Sequence, residues 1–587
     1  MNESILPQRA IEPGSQIPRV IRFGVMCDGR WLEAWQADCV RKLLELDNVR
    51  LAMLIVDPDA GTSRKPLRKV PFRRWLYTLY RRSWFRRWPR QILDQQNIFR
   101  DVARSTPTIA LRGKFSQIFD AKSVATIASY DLDFILRFGF NIIRGEILEV
   151  PRYGVWSFHH GDEKKYRGSP AGFWEIYHDD PVTGAILQRL TDRLDGGIVL
   201  RRGYFRTARH SYVANISQLY GESAPWPAQV CQEIRAGRVS AFAAEPSSTD
   251  APMFYPPSNL EMLRFMGKLW RNQFRRFARL LCLRDHWNIG VVDAPITKFL
   301  DPKFFPRVHW LLSPPSGRYY ADPFHCASTG ENNPTPSTSV LVEEYDYDRA
   351  KGSISWLSLM KEQGSLQIHD SGSAITLPTH LSYPYIFRHD DVLYCVPESW
   401  QSHGISLYRA IDPPRVWQKL ATLVDEFDGV DPTLFRHEGR WWLLCANRHQ
   451  GSLHNLFIWY ADDLLGPWRP HDGNPVKTDV RSSRSAGTPF AHEGHLYRPT
   501  QDCSRTYGAR VVLNRVNKLT PEEFVEEAVR EISPIAPYSD GVHTLSSCGE
   551  MTLIDGKRVV IRSPLRAISV TKKLFARRMS RTYLKIA

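Results

Sequence analysis

"DPTLFRHEGRWWLLCANR", residues 431–448, reads as strand, tight turn and strand. Asp431-Pro432 opens it, Glu438-Gly439 supplies the turn, and Trp441 to Ala446 is an apolar run of strand length. The phrase returns along the chain. "ADPFHC" (321–326) leads to "SVLVEEYDY", and "YPYIFRHDDVLYCVPES" (383–399) leads to "ISLYRA". "GTPFAHEGHLYRPTQD" (487–502) leads to "ARVVLNRV", and "HTLSSCGEMTLIDGKRVVI" (543–561) closes the series. Five such units at roughly 50–60-residue spacing predict the blades of an all-β five-bladed propeller. A sandwich is the alternative, but the recurring x-P-x-x-F-x-x-x-G-x-x-Y/W phrase favours repetition about an axis.

The chain ahead of these units has a different texture. Apolar runs occupy 20–26 (VIRFGVM), 51–56 (LAMLIV) and 134–140 (FILRFGF). Between the first two, "EAWQADCVRKLLEL" has helical spacing of apolar positions. Strands alternating with helices predict a parallel, Rossmann-like α/β sheet, whose ligands bind beyond the carboxyl ends of the strands. "GVWSFHH" (154–160) runs into such an end at His159 and His160. In a strand the two side chains point to opposite faces. The expected organisation is a tail at 1–19, an α/β domain at 20–240, a linker and helix at 241–286, a propeller at 287–565 and a basic tail at 566–587. Within the linker, "LEMLRFMGKLWRNQFRRFARLLCL" (260–283) reads as one helix.

At 587 residues the chain is too long for one core. Its charge of +16 suits an acidic partner. Nine scattered cysteines with no C-x-x-C pair read as reduced thiols and a cytoplasmic protein. Residues 1–19 lack a secretory pattern, and no apolar stretch reaches the roughly 20 residues of a membrane span. Residues 64–90 place eleven Lys and Arg beside Trp75, Trp84 and Trp88. That segment is either a solvated insertion packed on the domain or a basic amphipathic helix on anionic lipid. No DNA- or RNA-binding motif accompanies it, so nucleic acid is not an expected partner.

Two family resemblances rest on longer motifs. The stretch from "LDFILRFGFNII" through "PRYGVWSFHH", "YRG", "TG" and "RLDGG" (132–197) resembles the catalytic domain of folate-dependent formyltransferases. The resemblance implies 10-formyltetrahydrofolate as donor, His159 as proton carrier and Asp195 as the group that orients it. The family's Asn position holds Ser157, a shorter donor. Phe138, Gly139, Phe140, Asn141, Ile142 and Ile143 would line the pterin pocket, and the spacing to Tyr166, Arg167 and Gly168 is kept. The family's loop after the His is replaced by Gly161, Asp162, Glu163 and Lys164. Residues 287–560 resemble the amino-terminal propeller-like domain of plant glucosamine inositolphosphorylceramide transferases, distantly related to five-bladed glycoside hydrolases. "YYADPF", "HLSYPYIF", "GRWWLLCA", "LYRPTQDCSRTYGARV" and "DGVHTLS" carry that likeness in order.

Acids stand at comparable points of the repeated phrases: Asp322, Glu343, Glu344, Glu398 and Asp431. Converging strands would gather them around one mouth, joined by Arg484, Arg498, Gln501, Asp502, Arg505 and His543. Such a set suits a sugar or sugar phosphate, since arginine recognises planar anions. Glycoside hydrolysis needs two carboxyl groups, but "SRSAGTPF" lacks the Glu expected of the hydrolases' acid, so binding is favoured. The expected function is therefore formyl transfer to an amino sugar, free or on a nucleotide or lipid carrier, in cell-surface glycan synthesis. The alternatives are a degenerate formyltransferase domain with a carbohydrate-binding propeller, or a propeller acting as a glycosidase or glycosyltransferase component. No metal is implied.

Overall fold

The computed structural model describes residues 20–28, 32–58, 70–84, 102–112, 116–193, 196–247, 249–312, 317–326, 338–362 and 365–562. The chain divides into two compact units: Met1–Tyr177 with Gly184–Arg202 and Val213–Met266, and His178–Thr183 with Gly203–Tyr212 and Gly267–Ala587. It is multidomain, with an N-terminal α/β region and a β-rich C-terminal part.

The α/β region is built on a seven-stranded sheet in the order Ile198–Arg206, Val182–Arg189, Val155–His159, Phe134–Arg137, Ile21–Cys27, Val49–Val56, Ala103–Ser105. The five strands from Val155–His159 to Ala103–Ser105 pair in parallel, and Val182–Arg189 runs antiparallel to Val155–His159. Central parallel strands are covered on both faces, so they read as continuous apolar runs. Six of the seven residues of Ile21–Cys27 are buried. Phe23 stacks on Phe134 at 5.4 Å, and Phe134 stacks on Trp156 at 3.9 Å, all three fully buried. This aromatic row crosses three strands and fixes the register that brings the ends of Phe134–Arg137 and Val155–His159 together. The helix Ala34–Leu44 starts at a capping box between Glu33 and Gln36. The basic insertion is described only in part, over 70–84, where Trp75–Trp84 is a helix. The linker helix spans Asn259–Cys282.

Among the described residues, the β-rich part has five antiparallel sheets, each opened by one of the repeated phrases or closed by the last of them. Arg318–His325, Thr338–Asp346, Lys351–Glu362 and Ser365–Ile375 form one, followed by Ser382–His389 through Val416–Asp425, Gly429–His437 through Arg469–Pro470, and Phe490–His492 through Phe524–Ile532. The remaining sheet joins both ends of the part. Leu283–Val292 pairs with Met551–Ile561 over its full length, from Leu283↔Ile561 to Val292↔Thr552. Each sheet buries apolar residues against its neighbours, as in the cluster shared by Phe324, Tyr385, Leu407 and Leu443.

Trp156→Ala removes the terminal ring of the aromatic row. The expected cost is about 3–5 kcal/mol, read as faster amide hydrogen exchange in Phe134–Arg137 and Val155–His159 than in the β-rich part.

Candidate functional site

The first strands of three successive sheets break register at the same place: Ala321/Phe324, Ser382/Tyr385 and Val430/Thr433. Each break holds a residue followed by proline. Asp322, Tyr383 and Asp431 there have φ of 50°, 44° and 49°. The left-handed region is unfavourable for side chains other than glycine, and the residue before proline avoids helical angles. A bulge re-aims its side chain, and these three are re-aimed into one buried polar centre.

On one flank of the centre, His543 Nδ1 lies 2.5 Å from Asp555 Oδ2, and its Nε2 is 3.7 Å from Asp322 Oδ1. Trp287 stacks on the imidazole at 3.8 Å and Tyr507 meets it edge-on. Thr544 Oγ1 donates to Asp322 Oδ1 at 2.6 Å, and the Tyr383 amide donates to Asp322 Oδ2 at 3.2 Å. The other flank is arginine-centred. Arg484 Nε donates to Asp431 Oδ2 at 2.5 Å and Nη2 to Oδ1 at 3.2 Å, a bidentate pair. Gln501 Nε2 also donates to Asp431 Oδ2, at 2.8 Å. The Asp431 amide donates to Glu398 Oε2 at 3.1 Å, and Arg484 Nη2 reaches Tyr507 Oη at 3.3 Å.

Apart from the half-buried Tyr507, every one of these side chains is buried, which sets the electrostatics. Burial and the charges of Asp555 and Asp431 push Asp322 up to about 6, against the pull of His543. Burial pushes Glu343 well up, and Asp322 and Glu398 add to it. Burial and Asp431 push Glu398 well up. Burial alone would lower His543, but the Asp555 and Asp322 carboxylates outweigh it and raise its pKa. Burial likewise opposes the charge on Arg484, and Asp431, Tyr507 and Glu398 hold it well above its usual value. Five carboxyl groups thus share the centre with one arginine and one histidine. Burial favours the protonated forms of Glu343 and Glu398, and a protonated carboxyl can donate as well as accept. Asp322, His543 and Asp555 present ligand atoms within 4.8 Å of one another. His543 Nδ1 and Asp555 Oδ2 are in direct contact at 2.5 Å, closer than the roughly 3 Å that separates two ligands of one zinc-sized ion.

Some residues expected at this mouth stand elsewhere. Arg498 is 1% exposed and pairs with Glu526 at 2.6 Å, with its other nitrogens on the Ser482 and Ser483 carbonyls. Asp502 accepts from the Ser504 amide and faces Arg510, and Arg505 is exposed. Glu344 binds Arg318 and Ser355, on the opposite face of its strand from Glu343. The sequence reading missed Asp555, Tyr383, Thr544 and Tyr507. Tyr383-Pro384 was legible, because it occupies the place of Asp322-Pro323 and Asp431-Pro432 in the repeat.

The α/β region carries the second candidate. Ser157 and His159 lie two apart on Val155–His159 and share a face. Arg137, at the end of the neighbouring strand, donates Nη1 to Ser157 Oγ at 2.9 Å and Nη2 to the carbonyls of Phe140 and Asn141. Burial lowers the Arg137 pKa to about 10. This arginine was inside a phrase read only as an apolar run. His159 Nε2 lies 3.1 Å from the Tyr166 carbonyl. A cleft there is lined by His159, Tyr166, Arg167, Gly168, Trp174 and Glu175, among others. His160 faces away into Trp35, Phe158 and Tyr220, and its Nε2 is 3.1 Å from Ser223 Oγ. Burial and then His159 push its pKa down to about 3, so it is a neutral packing residue. Phe138, Phe140 and Ile142 are half-buried, Asn141 is exposed, and Gly139 and Ile143 are buried. A Cβ on Gly139 would meet Asp28 Oδ1 at 2.2 Å, so the turn needs glycine for its own packing. Asp195 lies outside the described residues.

The chain is similar to known proteins over parts of its length. The family described as "Glucosamine inositolphosphorylceramide transferase 1, N-terminal" matches residues 350–535. The rice (Oryza sativa subsp. japonica) glucosamine inositolphosphorylceramide transferase 1 is 38% identical over 204 residues, 32% of this chain and 27% of that protein. Methionyl-tRNA formyltransferase of Prochlorococcus marinus strain AS9601 is 29% identical over 92 residues, 16% of this chain and 26% of the enzyme. The chain thus spans about a quarter of the length of each of these two curated relatives. Among solved structures, a family 117 glycoside hydrolase of Zobellia galactanivorans matches at 14% identity and a TM-score of 0.30, over 42% of this chain and 87% of that one. A glycinamide ribonucleotide transformylase from Symbiobacterium toebii matches at 16% identity and a TM-score of 0.25, over 37% of this chain and 89% of that one.

The buried acids give a pH test. A carboxyl raised in the fold stabilises it below its unfolded pKa, and that contribution is lost as pH rises towards the folded pKa. Glu398→Gln keeps the acceptor for the Asp431 amide and cannot ionise. Its stability advantage over the wild type is therefore expected to grow between pH 5 and 8, by at most about 1.4 kcal/mol per pH unit. Thermal unfolding of both proteins across that range measures it; a pH-independent difference would contradict the raised pKa.

Proposed function

We propose that the protein modifies an amino sugar, free or on a nucleotide or lipid carrier, by formyl transfer in cell-surface glycan synthesis. In this reading the α/β region carries the transfer site. The five sheets of the β-rich part are the blades of a five-bladed propeller whose buried centre holds a sugar or sugar phosphate. The observation that carries it is the pairing of Ser157 and His159 on one strand face, with Arg137 behind Ser157 and a cleft beside His159. The partial likenesses to a formyltransferase and to a protein named for glucosamine transfer support the same reading.

The residues fit 10-formyltetrahydrofolate in kind. Tyr166, Arg167 and Gly168 share the cleft with His159, while Phe138 packs against Trp35 and Phe158 and Phe140 against Phe119. When bound, that cofactor supplies the formyl group. The chain's own groups then have distinct tasks. The Tyr166 carbonyl only accepts, so His159 Nε2 keeps its proton and Nδ1 is left to take one from the acceptor amine. Ser157 Oγ accepts from Arg137, so its own O–H remains to donate, strengthened by the arginine's charge. In this way a hydroxyl serves where the formyltransferases place an amide, as a donor to developing negative charge.

A binding protein with an inactive α/β region is the second reading, favoured by the burial of Ser157 at 4% exposure. Formyl transfer from 10-formyltetrahydrofolate to a panel of nucleotide-linked amino sugars separates the two. Wild-type turnover is expected to fall by at least 100-fold in His159→Ala and in Ser157→Ala, at unchanged melting temperature. Undiminished transfer in His159→Ala removes that residue's role, and sugar binding without folate binding establishes the second reading.

A further inference from the structure

The linker helix Asn259–Cys282 leaves a continuous apolar stripe in solvent. Leu263, Met266, Trp270, Phe274 and Phe277 recur at helical spacing, and Trp270 is 80% and Phe274 65% exposed. The helix is anchored near its start, with Met262 and Phe265 fully buried. Contiguous apolar surface of this kind marks an interaction site. Exposed Arg264 and Arg275 border the stripe along one side, with Arg271 between them, 3.8 Å from Asp179.

A second apolar group is tied to the start of this helix. Asn259 Oδ1 accepts from the Leu76 amide, and its Nδ2 donates to the Phe72 carbonyl. Beside that junction Phe72, Trp75 and Leu79 are exposed, at 73%, 38% and 46%, among exposed Arg73 and Arg82. Two helices far apart in sequence thus expose aromatic and aliphatic side chains together with arginines.

We propose that the helix Asn259–Cys282, with Phe72–Leu79, is a docking surface for an anionic lipid bilayer. Charge decides the occupant. The borders of the stripe are arginines, the chain carries +16 overall, and a second copy would bring like charge against like. Aromatic and aliphatic residues on one face with arginines beside them are the composition of a helix lying in the headgroup region. The helix lies on the membrane rather than through it, since no described helix is long and apolar enough to cross one.

Vesicle co-sedimentation of the full chain tests this, with pure phosphatidylcholine and with phosphatidylcholine containing phosphatidylglycerol. Binding to the anionic vesicles is expected to be at least tenfold tighter, and to weaken with salt. Arg264→Gln with Arg275→Gln is expected to cost at least about tenfold, and Trp270→Ser with Phe274→Ser to abolish binding, both at unchanged melting temperature. Brominated lipid is expected to quench a tryptophan signal that Trp270→Phe lacks. Equal binding to both vesicle types, unchanged binding of both double variants, or a concentration-dependent dimer abolished by Trp270→Ser with Phe274→Ser would overturn the proposal.

Discussion

The bidentate pair between Arg484 and Asp431 is the interaction on which the β-rich part's centre depends. Five carboxyl groups cannot share a buried space as anions, because each unscreened charge there is expensive. Arg484 pairs with Asp431, His543 sits between Asp555 and Asp322, and burial favours the neutral forms of Glu343 and Glu398. Gln501, the Thr544 hydroxyl and the backbone amides of Asp322, Tyr383, Asp431, His543 and Thr544 donate to further carboxylate oxygens. Without the arginine, Asp431 would lose its bidentate partner beside Glu398. The centre is therefore a balanced set rather than a row of turn-capping acids.

Backbone strain and electrostatics serve the same end there. A strand residue in a regular ladder points to one of two faces. The three bulges before Pro323, Pro384 and Pro432 turn Asp322, Tyr383 and Asp431 out of that alternation. Because the sheets repeat, so does the displacement, at Asp322, Tyr383 and Asp431. The hydrogen bond from the Tyr383 amide to Asp322 links the first bulge to the second.

The α/β region uses the other common device, the carboxyl ends of parallel strands. There the Phe23–Phe134–Trp156 row locks the register of adjacent strands, and register is what puts Arg137 next to Ser157. A one-residue slip would turn His159 inward and expose His160. The Arg137–Ser157 hydrogen bond ties the hydroxyl at 157 to a residue twenty positions earlier.

Strand and helix placement were legible from the sequence alone, because period-two alternation, continuous apolar runs and Gly, Pro and Asp punctuation are local signals. So were His159, Ser157, Asp322, Glu398 and Asp431, which occupy fixed places within strands or repeats. Arg498 misled the reading because its position in the phrase was right, while Glu526, a distant partner in the next hairpin, claims its guanidinium. Asp555 and Arg137 were hidden inside runs that look like ordinary strand. Their roles come from neighbours far away in sequence: His543 for one, Ser157 for the other. The exposed face of Asn259–Cys282 was equally invisible, since an amphipathic pattern says that one face is apolar but not whether anything covers it. Local chemistry sets which elements form; which side chains meet, and which apolar face stays in water, is decided by long-range packing.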